Sequence, residues 1–175
     1  MDPTDFALLI LRVWLGIVML AHGINHARSL DGTAKWFAAK GFRQAKANAV
    51  ASAVGEILIG TALIAGFATA FALAGLTATM IVAFGSIHRF AGFFVFQRPD
   101  EGYEYVLTLV AAAAALAILG PGAVSTDGLI GLDSALDEWV GLGIVALGAI
   151  AGAAQLAAFW RHPSPPTQDQ KGVAH

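Results

Sequence analysis

ILIGTALIAGFATAFALAGLTATMIVAFGSI, residues 57–87, contains no charged side chain. With its apolar flanks the run approaches about 40 residues, far too long for one helix across a ~30 Å hydrocarbon core at ~1.5 Å rise per residue. The only break it offers is Gly66-Phe67-Ala68-Thr69. The stretch therefore reads as two membrane-crossing helices joined by a tight turn.

Working outward, three more apolar stretches bring the total to five spans, at about 6–27, 48–67, 70–88, 103–120 and 139–160. Each is close to the ~20 apolar residues a spanning helix needs. The fold expected is all-α: a polytopic membrane protein with a four-helix core over 1–138, an additional transmembrane helix over 139–161, and a disordered cytoplasmic tail over 162–175. A charged fraction of 13%, against about 25% in soluble chains, and a mean hydropathy of +0.70 agree with that class. They leave no room for a separate soluble catalytic domain.

If all five stretches span, loops alternate sides. The amino terminus, the turn at 66–69 and the loop 121–138 then share one side, which holds no Lys or Arg. The other side holds Arg28, Lys35, Lys40, Arg43, Lys46, Arg89, Arg98, Arg161 and Lys171, while Arg12 lies inside the first span. The positive-inside rule makes the basic side cytoplasmic, so the expected topology in the plasma membrane is amino terminus outside and carboxyl terminus inside. Asp2 and Asp5 give an acidic start without the basic n-region of a signal peptide, so 6–27 is expected to be a retained helix.

A net charge of −2, with the basic residues where topology needs them, argues against nucleic acid as a partner. The chain has no Cys, which excludes disulfides, thiolate clusters and Cys lipidation. No HExxH, Walker loop or GxSxG is present, and no metal site or cofactor motif is assigned. Two candidate histidines at one depth are weak ground for haem.

Three connecting features stand out. The loop 28–47 mixes Lys, Arg, Ala, Trp36 and Phe37, which suits a short amphipathic helix on the membrane surface; a solvated connector is the alternative. The loop 121–138 carries Asp127, Asp133, Asp137 and Glu138, which orientation and solvation explain without a special role. The last span is bracketed by Trp139 and Trp160 at interfacial positions and contains Gly148-Ala-Ile-Ala-Gly152, a GxxxG pattern that permits close helix approach. In so Gly-rich a chain that pattern also arises by chance.

Ionisable residues inside the bilayer are costly and usually mark a site, a pathway or a pair. Arg12 and Glu56 fall in the first two spans, at depths differing by under ~10 Å, within reach of two extended side chains. Two readings stand for them: a buried ion pair fixing helix register, or a part in chemistry. A second tier lies toward the basic side, where His22, His88 and Glu104 share a depth, with His26, Arg89 and Tyr105 nearby. His22 and His26, one turn apart, share a helix face. His26 and Arg89 read as interfacial anchors of helix ends. For His22, His88 and Glu104 the readings are the same anchoring, or a site that hydrogen-bonds quinone carbonyls and relays protons, or metal ligation.

The ordered set of residues resembles the DoxX family of small membrane proteins, from about Leu8 to Asp127. It comprises Leu11-Arg12 and Gly16, His22-Gly23, Phe37 and Gly41, Glu56 with Gly60 and 63–66, His88 with Gly92-Phe93-Phe94, Glu104-Tyr105, Gly120-Pro121-Gly122, Ser125 and Asp127. The family commonly has a Lys shortly after the His-Gly, where this chain has Asn25, and its core is four helices, so 139–160 is an addition. The resemblance implies a membrane subunit or accessory protein of a quinone-linked oxidoreductase, with membrane-complex partners supplying any electron donor. On that reading Glu56, His88 and Glu104 are the catalytic, proton-handling groups, and Arg12, His22, His88 and Tyr105 contact the quinone. A structural or assembly subunit without chemistry is the alternative, resting on the GxxxG stripe, the small size and the absence of cofactor motifs. A channel is a third, poorly matched by five helices lacking an internal repeat.

Overall fold

The charge-free run breaks where its glycine permits. In the computed structural model, which describes residues 2–96 and 99–163, α3 (Ala45–Ala65) ends at Gly66 and α4 (Thr69–Ser86) begins two residues after Phe67. Gly66 has φ +66, and the pair of bonds Phe67 N–H to Ala62 O and Gly66 N–H to Leu63 O closes a Schellman turn. The other elements are α1 (Pro3–Arg28), α2 (Leu30–Ala39), a 3₁₀ turn (His88–Phe90), α5 (Glu104–Leu119), the short α6 (Thr126–Ile130) and α7 (Asp133–Leu136), and α8 (Glu138–Phe159). The amphipathic helix expected in the first loop is α2.

Four helices, α1, α3, α4 and α8, are long and apolar enough to cross a membrane. The fifth crossing, α5, has 16 residues and is thus about 24 Å long. It is short because Glu104 starts it and Gly120-Pro121 stops it, yet it still runs from one end of the bundle to the other. Before it, Asp100 pairs with Lys40 at 2.7 Å; after it, Ala123 N–H donates to Asp5 Oδ1 at 2.9 Å. The protein is an integral membrane bundle of five antiparallel helices. One end carries Asp5, the α3–α4 turn and α6–α7; the other carries α2, the 88–103 segment and the end of α8. Arg28, Lys35, Lys40, Arg43, Lys46, Arg89 and Arg161 all fall at this second, basic end, whereas Arg98, Lys171 and the tail 164–175 lie outside the described residues.

In lipid, small residues let backbones approach and dispersion replaces hydrophobic drive. Between α1 and α3, a Cβ on Gly60 would stand 2.5 Å from Leu20 N and 2.6 Å from Gly16 O, so only glycine fits. The GxxxG of α8 works in the same way, within the chain: Cβ atoms on Gly148 and Gly152 would strike the backbone of Ala74 and Ala78 on α4. Gln155 of α8 adds a hydrogen bond to Asn48 of α3 at 3.1 Å. The interior is Leu15, Met19, Leu63, Leu73, Leu76 and Leu116, and Ile10, Trp14, Leu58, Phe71, Leu147 and Ile150 face outward where lipid tails would lie.

Candidate functional site

At the acidic end, the α3–α4 turn presents the carbonyls of Leu63, Ile64 and Ala65 and the N–H groups of Ala68 and Thr69 to side chains from elsewhere, because helix termini cannot fully satisfy their own last turns. Arg12 of α1 supplies donors: Nη1 bonds Leu63 O at 2.8 Å and Ile64 O at 3.2 Å, and Nη2 bonds Val124 O. Thr126 Oγ1 donates to the third, Ala65 O, at 2.9 Å. Asp127 supplies the acceptors, taking Ala68 N–H at 2.7 Å and Thr69 N–H at 2.8 Å. Cation at a helix C-terminus and anion at a helix N-terminus are each favoured by the helix dipole. The Asp127 charge also acts on Arg12, and the two are 3% and 1% exposed.

This corrects two sequence expectations. Arg12 does not pair with Glu56, because its guanidinium turns outward along α1 to the end of α3. Asp127 is no solvated loop acid; it is the buried counter-charge.

At the basic end a cavity of about 600 Å³ opens between α1, α3, α4 and α5, beneath α2 and the 88–103 segment. Of the predicted site residues, His22, Glu56, His88 and Tyr105 line it, together with His26 and Ser52. Arg12 and Glu104 do not. Glu104, the first residue of α5, folds back so that its Oε2 accepts Val95 N–H at 3.2 Å and braces the 88–103 segment. His88 is held by the same segment, its Nδ1 2.6 Å from Glu101 O. Arg89 lies outside the cavity, with its guanidinium 4.6 Å from the Phe90 ring centre and 5.4 Å from that of Trp160.

Glu56 is the most enclosed of the cavity's polar groups, at 4% exposure. Ser52, one turn earlier on α3, donates its hydroxyl to Oε1, and His26 Nε2 lies 3.9 Å from the same oxygen. Oε2 has no hydrogen-bond partner among the described residues. Gly23 makes room for this arrangement: a Cβ there would sit 2.9 Å from Glu56 Cβ. His26 thus joins the site that sequence reading had placed around His22; its i, i+4 relation to His22 was the available signal. On the α1–α5 side the wall is thin. These helices touch sparsely, and His22 and Tyr105 line the cavity while remaining exposed. Among the described residues no group of three His, Asp or Glu side chains is placed to hold a metal ion.

Residues 7–89 match the model of the DoxX family. Over this segment, just under half of its length, the chain is similar to the DoxX family. The matched segment runs from the start of α1 through His88 and contains Arg12, His22, His26 and Glu56; it stops short of Glu104, Tyr105, Asp127 and α8. Neither the comparison with curated proteins nor that with solved structures gave a match.

Proposed function

We propose that this DoxX-like protein is a plasma-membrane subunit or accessory protein of a quinone-linked oxidoreductase assembly, with the basic-end cavity as its quinone site. The observation that carries the reading is the unpartnered Glu56 Oε2 in a cavity that also presents His22, His88 and Tyr105 and thins toward lipid between α1 and α5. A volume of about 600 Å³ suits a ring-sized headgroup, and small-molecule sites run ~300–1,000 Å³. A quinone supplies two-electron, two-proton chemistry when bound. The chain's own groups hold it: Tyr105 donates a hydrogen bond to a ring oxygen, His88, whose Nδ1–H is given to Glu101 O, donates from Nε2 as the imidazolium, His22 flanks the lipid-side opening, and Glu56 and Ser52 bound the inner end. Arg12 and Glu104 act from outside the cavity, fixing the α3–α4 turn and the 88–103 segment. The electron donor belongs to a partner subunit. The basic end faces the cytoplasm, following the positive-inside rule.

The test is saturable binding of a short-chain quinone analogue to the purified protein in lipid nanodiscs, followed by quenching of Trp36, which lines the cavity. Binding is expected in the wild type and weakened about tenfold by His88→Ala, the loss of one hydrogen bond to a buried partner. No saturable quenching would overturn the quinone reading. Binding that is absent while the protein co-purifies stoichiometrically with a membrane complex would favour a structural subunit instead.

A further inference from the structure

We propose that His26 and Glu56 form a proton path from water at the basic end to the interior of the cavity. The inference deepens the quinone reading and rests on it for the identity of the final acceptor. Its geometry stands independently. Glu56 sits at the inner position, its side chain 5% exposed, and His26 sits nearer the surface at 21%. The imidazole is clasped by α2, stacked on Trp36 with centroids 6.5 Å apart and edge-on to Phe37 at 6.3 Å. That clasp directs Nε2 toward Glu56 Oε1 at 3.9 Å, a gap that one water or a small ring rotation closes.

An imidazole can take a proton at one ring nitrogen and release another from the second, which makes it a relay as well as a buffer. A proton from water adds at Nδ1, the Nε2 proton passes to the Glu56 carboxylate, and His26 is left neutral in its other tautomer. The proton arrives on Oε1, and a half turn of the carboxyl about Cγ–Cδ carries it to the position of Oε2, which has no partner among the described residues, from where it passes to a ligand oxygen. Ser52 donates to whichever carboxyl oxygen lies on its side and so leaves the other as the exit. Each transfer moves one proton and no electrons.

The other ionisable groups around the pair are His22 on the same face of α1, which acts electrostatically on His26, and His88, Asp100, Glu101 and Tyr105 across the cavity. From α2 and α4 the cavity receives no titratable side chain. Among the described residues, Glu56 therefore has one ionisable side chain in ion-pair range, His26.

The experiment follows the Glu56 carboxyl by infrared spectroscopy in nanodiscs, its band assigned by loss in Glu56→Gln as pH is lowered, with hydrogen–deuterium exchange started by a switch to D₂O. His26→Phe keeps the ring contact with Trp36 and removes both nitrogens, and it is expected to slow exchange of that band about tenfold or more. Equal exchange in wild type and His26→Phe, or no Glu56 carboxyl band at any pH where the protein is folded, overturns the path. If His26→Phe does not fold, His26→Gln is read in the same way. Quinone quenching is measured on the same samples: its absence in the wild type sinks the quinone reading alone, whereas exchange reports on the path without any ligand.

Discussion

A guanidinium only 1% exposed within a helix bundle has to be matched, and Arg12 is matched by carbonyls of Leu63, Ile64 and Val124 and by the charge of Asp127. Arg12→Met is expected to cost about 3–5 kcal/mol in unfolding measurements, because it strands a buried Asp127. A double-mutant cycle of Arg12→Met with Asp127→Asn should give a coupling of about 0.5–3 kcal/mol, and the same cycle with Glu56→Gln should give less than about 0.5 kcal/mol. The opposite ranking would mean that Arg12 reaches Glu56 after all. The sequence supplied the depth of Arg12 and Glu56 along their helices but not the direction in which each side chain leaves its axis. Asp127 escaped notice for a related reason: in an acidic loop nothing local separates a capping carboxylate from a solvated one. Its place in the ordered DoxX-like set was the only hint.

At the scale of elements, hydropathy reads helix ends closely because lipid forces every backbone polar group into a helix and every break onto a Gly, Pro or polar residue. Gly66 and Gly120-Pro121 are such breaks, and the helices end on them. Which helix a small-residue stripe faces is not local information. The GxxxG of α8 was open to an outside partner in the sequence; in the structure α4 fills it. Gly148→Leu should therefore lower thermal stability by about 1–3 kcal/mol equivalent, the usual scale of overpacking, without changing oligomeric size in detergent. Loss of an oligomer with unchanged stability would show that the stripe serves another chain. Gly66→Ala should also destabilise, since φ +66 disfavours a side chain by about 1–2 kcal/mol and its Cβ would meet the Arg12 guanidinium.

For the whole molecule, the alternation of loops was legible because basic residues cluster so unevenly. The cavity was legible only as a shared depth of His22 and His88, since a void is defined by neighbours from four helices. The predicted orientation is checked with reporters. A cytoplasm-active reporter at the carboxyl end should give signal, and one at the amino end should not. The reverse pattern would overturn the assignment of the basic end to the cytoplasm. With five crossings the two results must differ, so matching signals would mean that one helix, α5 being the shortest, does not cross.

The Arg12 network also has an order in time. Synthesis delivers α1 to the membrane well before Val124 and Asp127 exist, so its guanidinium first meets lipid without either. An arginine near a helix centre costs about 2.5–3.5 kcal/mol on insertion scales, and each Leu, Ile, Phe or Val returns about 0.3–0.6. Ten such residues lie between Phe6 and Leu20, returning about 3–6 kcal/mol. The first helix can thus enter on its own apolar content, carrying a charge whose last partners, Val124 and Asp127, arrive only after three further crossings. Until then the nascent bundle has an open seam at its acidic end, and the segment that closes it is the one that follows α5.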